Sequence, residues 1–370
     1  MSVSIGVAGL GFGREFVPIY LKHPNVDKVA INCRTPETLQ KVGDENGIPE
    51  EMRFLNYDEM LACPDLNAIH VVTPPNTHYE YVMRALEAGK NVACTVPMGL
   101  SNDELKNICK KVRQTGLKYM MMETAIYTRE YLYAKNLVTT GQLGKIQFVR
   151  GSHMQDMSID GWAGFWLGLP PMWYGTHAIS PLLDITQSFP EYVICHGSGT
   201  LRPELTEKYG SPFAIETTTI KLKDTDLCAE ATRSLYDTVR QYRESFDVYG
   251  TKMAFEWEQL VDEGCAIHYG GEEAGRVVAP DVLDCLPESI RQFSKKENIS
   301  DPTQPSFIQG SGHGGSHPHL VHEFISAIVE DRKPYVDEIV SANFTSAGIC
   351  SHESAMKGGE KVYVPDFTKD

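Results

Sequence analysis

The first hundred residues alternate between short apolar runs and amphipathic stretches. Val3-Ser4-Ile5-Gly6-Val7-Ala8 predicts a buried strand that breaks into Gly9-Leu10-Gly11-Phe12-Gly13-Arg14. A helical pattern follows, with Phe16, Ile19, Tyr20 and Leu21 at helical spacings. Val29 to Cys33 reads as a second buried strand. Ala68 to Val72 reads as another, leading into Thr73-Pro74-Pro75-Asn76-Thr77-His78 and a helix from Tyr79 to Ala88. Asn91 to Cys94 is a further short strand, entering Thr95-Val96-Pro97. Apolar strands alternating with amphipathic helices predict a parallel sheet covered on both faces. Ligands of such sheets sit outside the carboxyl ends of the strands, here the segments after Ala8, Cys33, Val72 and Cys94.

From about Ile126 the alternation stops. A bridging helix is expected from Arg129 to Thr140, ended by Gly141. Strand-like runs follow at Ile146–His153, Tyr192–Gly197, Phe213–Leu222, Cys228–Leu235, Ser245–Tyr249, Met253–Trp257 and Cys265–Tyr269. Glu216 to Leu222 has the period-two, β-branched character of a half-exposed strand, and Val248 to Lys252 looks like a turn between two strands. Many strands with few helices between them predict an antiparallel meander. One face of such a sheet needs covering, which makes it the expected surface for homo-oligomer assembly.

Composition narrows the class. The chain has 370 residues, enough for two domains at ~150 residues each, and is 42% hydrophobic. Its 34 Lys+Arg against 49 Asp+Glu give a net charge of −15. That acidity argues against nucleic acid and against anionic lipid as partners. No window approaches the ~20 apolar residues of a membrane helix, and the N-terminus lacks a basic n-region. Nine cysteines without a CxxC pair suit reduced thiols and a cytoplasmic location.

The candidate chemistry begins at the glycine turn. Gly9 allows a tight turn, Gly11 lets backbone approach a pyrophosphate, and the helix N-terminus offers N–H groups to that anion. The third glycine falls at Gly13, with Arg14 where a small residue is usual. After the second strand, Asn32-Cys33-Arg34-Thr35 holds no acid for ribose hydroxyls. Arg34 either stacks on adenine, meets a 2′-phosphate or is a solvated loop arginine, so NAD is expected and NADP stays open. Three of the four tryptophans fall between Gly161 and Tyr174. Trp166 and Trp173 there suit the apolar face of a sugar; the plain alternative is a packed loop. Gly310 to Glu323 holds four histidines in ten residues, His313, His317, His319 and His322. A metal site is one reading. A glycine-rich active-site loop with His317 or His319 near substrate, and His322 opening a helix, is the other. No metal is expected, because nicotinamide chemistry needs none and no carboxylate cluster accompanies the histidines.

Together the glycine turn, Thr73–His78, Gly89-Lys90-Asn91-Val92-Ala93-Cys94-Thr95-Val96-Pro97 and Gly175-Thr176-His177-Ala178-Ile179-Ser180-Pro181 resemble the Gfo/Idh/MocA oxidoreductase family. The resemblance implies an α/β fold. Residues 1–124 would form a Rossmann doubly wound parallel sheet. Residues 125–370 would form a substrate-binding and oligomerisation domain with a large open, mainly antiparallel sheet. It implies a nicotinamide cofactor in the cleft between them and a sugar, polyol or glycoside as substrate. Gly9, Gly11 and Gly13 match the phosphate loop, with Phe12, Arg14 and Arg34 as further cofactor contacts. Thr73, Pro74, Asn76 and His78 match the segment lining the cofactor, and Thr95 and Pro97 the one after it. Thr95 and Val96 replace the glutamate and lysine that precede Pro97 in the family, removing the ammonium that polarises the reacting oxygen.

His177 matches the catalytic histidine, although Ser180 stands where an aspartate is common. Imidazole, with an ordinary pKa of ~6.5, suits removal of a hydroxyl proton as hydride leaves the same carbon. Tyr174 and His317 complete the expected catalytic set. His153, Gln155, Asp156, Trp166, Trp173 and His319 are expected to bind substrate. The resulting expectation is an NAD(P)-dependent dehydrogenase of a sugar or glycoside secondary alcohol, with hexoside 3-oxidation as an attractive case. Two alternatives remain: glycoside cleavage by transient oxidation with tightly bound NAD, and a non-catalytic dinucleotide-binding regulator.

Overall fold

A computed structural model describes residues 2–240, 242–260, 262–271, 273–299 and 311–369; Gly310, which opens the histidine-rich run, lies outside the described residues. The chain divides into two compact units. One comprises Met1–Tyr127, Asp281–Ala342 and Phe367–Asp370; the other comprises Thr128–Pro280 and Asn343–Asp366. The division differs from the expected single boundary after residue 124. A late segment, which includes the helix His317–Val329, returns to the first unit. That helix buries Leu320, Val321, Phe324 and Ile325, an apolar face that needs a partner and finds one there.

Among the described residues the first unit holds a six-stranded parallel sheet: β1 Val3–Ala8, β2 Val26–Asn32, β3 Arg53–Phe54, β4 Ala68–Val71, β5 Asn91–Thr95 and β6 Tyr119–Met122. Their order is β3-β2-β1-β4-β5-β6, so the winding reverses between β1 and β4. Every residue of β1, β4 and β6 is buried, as a sheet covered on both faces requires. The covering helices follow local rules. Asn102–Thr115 starts where the Ser101 side chain accepts from the Glu104 N–H. It ends at Gly116, whose φ of 69° closes the helix, and it buries Leu105, Ile108, Cys109 and Val112.

The second unit carries, among its described residues, a nine-stranded sheet. Its strands are β7 Ile146–Met154, β8 Pro190–Ser198, β9 Ile215–Leu222, β10 Cys228–Ser234, β11 Arg243–Gly250, β12 Ala254–Glu256, β13 Cys265–Gly270, β14 Glu273–Val277 and β15 Val362–Tyr363. The order β14-β13-β12-β11-β7-β10-β9-β8-β15 is not the expected meander. The strand β7 inserts between β11 and β10, antiparallel to the first and parallel to the second. The helix Thr176–Thr186 packs on β7 through Gly151, where a Cβ would stand 2.3 Å from the Ala178 carbonyl oxygen. No other residue permits that approach.

Candidate active site

In the first unit the carboxyl ends of β1 and β4 meet at the point where the winding reverses. Gly9, with φ of 96°, turns the chain there, and a Cβ on it would lie 2.3 Å from the Val72 carbonyl oxygen. A Cβ on Gly13 would meet Val7 and Val72 at 3.0–3.3 Å. Gly11 is different: a Cβ on it would meet nothing within 4 Å. The chain itself does not demand glycine at that position. Among the described residues the backbone N–H groups of Gly11 and Phe12 find no acceptor. An exposed, uncrowded glycine with donors beside it fits the close approach of a pyrophosphate.

The elements around this turn carry several aromatic side chains. Residues Gly13–Glu15 form a single 3-10 turn before the helix Val17–Lys22. The Glu15 carboxyl is buried, 4% exposed, and neither oxygen has a hydrogen-bond partner among the described residues. Burial pushes its pKa up to about 7, against a smaller opposing pull from Arg14. Phe12 packs edge-on to Phe16, and both rings contact His317.

The histidine-rich run therefore does not form a flexible loop. It is helical at Ser311–Gly315 and again from His317 itself, five residues before the expected start at His322. His317 is 2% exposed, lies 3.3 Å from His313 through its Nε2, and burial lowers its pKa to about 3. It is a neutral core imidazole under the glycine turn. His319 stacks on Tyr127 and approaches the Cys285 thiol at 3.6 Å, while His322 meets His23 at 3.0 Å.

The segments after β4 and β5 are tied together by His78. Its Nδ1 faces the Pro97 carbonyl at 2.7 Å and its Nε2 the Thr73 carbonyl at 2.8 Å. Burial lowers its pKa, and those two carbonyls oppose the shift. Thr77 donates to Thr73 at 2.8 Å, and Thr95 donates to the Val71 carbonyl. The Val96–Pro97 peptide is cis, Pro74 is half-buried and Asn76 is exposed. Arg34 stands exposed after β2, where the buried Asn32 amide donates to Phe54.

In the second unit the sheet register gathers the remaining groups. Across β10, β7 and β11, Arg233 pairs with His153 and His153 with Glu244, a row on one face. His177 joins them from the first turn of Thr176–Thr186, with Tyr174 on the 3-10 turn just before it. The His177 Nδ1 lies 3.9 Å from Glu244 Oε1, and the Tyr242 hydroxyl donates to the same oxygen at 2.6 Å. The His153 ring is edge-on to His177 at 5.1 Å and to Tyr242 at 5.0 Å. Tyr174 packs edge-on to His177, and Trp166 packs edge-on to Tyr174.

Arg233 closes the floor of this group. It is wholly buried under the Tyr174 ring, 5.1 Å from its centroid. Its guanidinium donates to the carbonyls of Tyr174, His153 and Ser234 and to Gln155 Oε1. Burial lowers its pKa to about 10, leaving it charged at neutral pH. Gln155 thus holds Arg233, and Asp156 is spent on Ser158, accepting from its N–H and hydroxyl. Trp173 packs on Tyr209 and His352, apart from its neighbour Trp166. Sequence reading missed Arg233, Tyr242 and Glu244. The available signal was weak, a charged residue at an inward strand position, such as Arg233 between Thr232 and Ser234 in β10.

Residues 3–123 match the oxidoreductase family Gfo/Idh/MocA, NAD-binding Rossmann fold. An uncharacterized oxidoreductase, ORF334 of Rhizobium meliloti, is 27% identical over 181 residues, covering 45% of this chain and 52% of the relative. A glycosyl hydrolase family 109 protein of Porphyromonas gingivalis is 26% identical over 203 residues, covering 50% of this chain and 43% of the relative. The chain spans about half the length of the curated relatives it matches. A solved levoglucosan dehydrogenase, in complex with NADH and levoglucosan, superposes with a TM-score of 0.77 at 19% identity, covering 99% of this chain and 100% of that one. This likeness extends the shared fold beyond the matched N-terminal residues. The glycine turn at a reversing parallel sheet and the match over residues 3–123 make the N-terminal third of this chain similar to the NAD-binding Rossmann fold of the Gfo/Idh/MocA oxidoreductases.

Proposed function

We propose that this protein is an NAD-dependent dehydrogenase that oxidises a secondary alcohol of a sugar, polyol or glycoside. The observation that carries the reading is the group of His177, Glu244, Tyr242 and Tyr174, assembled by the start of β11, a 3-10 turn and a helix start, with His177 buried. NAD, when bound, accepts the hydride from the carbinol carbon. His177 takes the hydroxyl proton, and Glu244 beside its Nδ1 stabilises the imidazolium that forms. Arg233 fixes the Tyr174 and His153 carbonyls, so these aromatic side chains stand on a rigid floor. The open backbone at Gly11 receives the pyrophosphate. Hexoside oxidation at position 3 is the finer case we favour. Residence in a reducing cytoplasm and assembly through the sheet of the second unit accompany the reading. Among the described residues the cysteines form no disulfide, and Tyr269, Val278 and Tyr363 are exposed.

The test is reduction of added NAD by a panel of inositols, free hexoses and glycosides. His177→Ala should lower kcat by about a hundred-fold or more while NAD binding persists. Full activity in that variant would remove His177 from the role of base. The match to a glycosyl hydrolase family 109 protein favours one second reading, glycoside cleavage through transient oxidation with retained NAD. Protein that purifies with NAD bound and cleaves glycosides without added cofactor would establish it.

A further inference from the structure

We propose that His153, His177 and Glu244 of the second unit form a binding site for a divalent transition-metal ion of the zinc class. Among the described residues this is the one group of three donor side chains close enough for the task, with all ligating atoms within 4.8 Å of one another. Two imidazoles and one carboxylate are a donor set that zinc and its neighbours use when a coordination position must stay open. Among the described residues, the histidine-rich run of the first unit, where the sequence first suggests a metal, gathers no such set.

The scaffold suits a metal better than a pair of hydrogen-bonded side chains would need. His153 and Glu244 are direct cross-strand partners on β7 and β11, so their spacing is fixed by backbone pairing. His177 is held by the close seating of its helix on Gly151. His153 and His177 are 0% and 3% exposed. Tyr242 donates to one oxygen of Glu244, an outer hydrogen bond of the kind that orients a ligating carboxylate. Donors around a tetrahedral zinc lie roughly 3.3 Å apart, given metal–ligand lengths of about 2.0–2.1 Å. Closing the His177 Nδ1 to Glu244 Oε1 separation of 3.9 Å, and the other separations of up to 4.8 Å, to that spacing needs an inward turn of each side chain.

One carboxylate leaves a bound dication with net positive charge, and three protein ligands leave room for an oxygen ligand. Use of that ion in turnover rests on the dehydrogenase reading, and with the ion bound His177 would serve as a ligand rather than as the base; the binding site itself does not rest on that reading.

The experiment is titration of chelator-dialysed full-length protein with cobalt(II), followed by visible absorption and by metal analysis after gel filtration. One ion per chain is expected, with a ligand-field spectrum of low coordination number. Glu244→Gln and His153→Ala should each weaken cobalt binding by about ten-fold or more, while His313→Ala in the first unit leaves it intact. X-ray absorption of the wild-type cobalt form should show two imidazoles, which keeps the test decisive if a variant fails to fold. No stoichiometric binding, a shell without imidazole, or variants that bind like wild type would overturn the site. NAD-linked turnover by protein that binds no cobalt would sink this proposal and leave the dehydrogenase. Cobalt bound by these residues with no turnover of any polyol would do the reverse.

Discussion

The glycine turn of the first unit and the histidine–glutamate group of the second are built by opposite means. The turn is made of backbone: its residues are consecutive, and its shape follows from which positions tolerate a Cβ. Three glycines within five residues play three parts there, with Gly9 and Gly13 forced by neighbours and Gly11 left open. The second group is made of side chains from residues up to 91 positions apart, His153 to Glu244, brought level by strand register. A backbone site announces itself as a local motif. A register-built site does not.

The sharpest break in the comparison is Gly9→Ala. The added methyl would meet the Val72 carbonyl oxygen, and φ of 96° is hostile to any L side chain. We expect a loss of about 4 kcal/mol, read as a collapsed denaturation midpoint. A stable Gly9→Ala protein would mean that the turn can relax, contrary to the packing.

Buried carboxyls distinguish the two regions next. In the second unit Glu216 is wholly buried but satisfied, accepting from the Met172 N–H at 2.7 Å and facing His352 Nδ1 at 2.6 Å. It anchors the 3-10 turn that presents Tyr174. Glu216→Ala strands both partners and should cost about 3 kcal/mol by urea unfolding. Turnover should fall as well, since Tyr174 loses its seat.

Glu15 is the unsatisfied counterpart in the first unit. Its pKa rises to about 7 in the folded protein against an ordinary 4.5. An acid raised on folding leaves stability full below the unfolded value. That stability is lost as pH climbs through the folded value, and the loss levels off above it. Glu15→Gln should therefore change little at pH ~5 and stabilise by about 2 kcal/mol at pH ~8. Parallel pH profiles for wild type and variant would show that the carboxyl finds a partner in solution.

The smallest effect is also the most diagnostic. Gly11→Ala should leave unfolding within about 0.5 kcal/mol of wild type, because the new methyl meets only open space. NAD affinity should fall by about ten-fold, since the methyl occupies the path of the pyrophosphate. Unchanged affinity by calorimetry would separate Gly11 from the cofactor.

Legibility of the sequence followed the same line. The run Val3–Ala8 became β1 with the same limits, and Ala68–Val72, Asn91–Cys94 and the seven expected C-terminal strands fell within a few residues of their places, while β14 and β15 were not expected. Apolar runs bounded by glycine and polar residues carry that information locally. The histidine-rich run differs from the expected loop because composition alone does not carry its helical fold at Ser311–Gly315 and from His317. Phe12 and Phe16 cover His317, and neither ring is near it in sequence.

What the sequence determined by itself was the parallel sheet and the glycine turn. Each depends on residues within one strand or one turn. Tertiary structure alone decided that residues 281–342 return to the first unit and that β7 lies between β10 and β11. It also decided that Arg233, His153 and Glu244 share a row. Pairing of distant strands is chosen by long-range burial and register, which no local window contains.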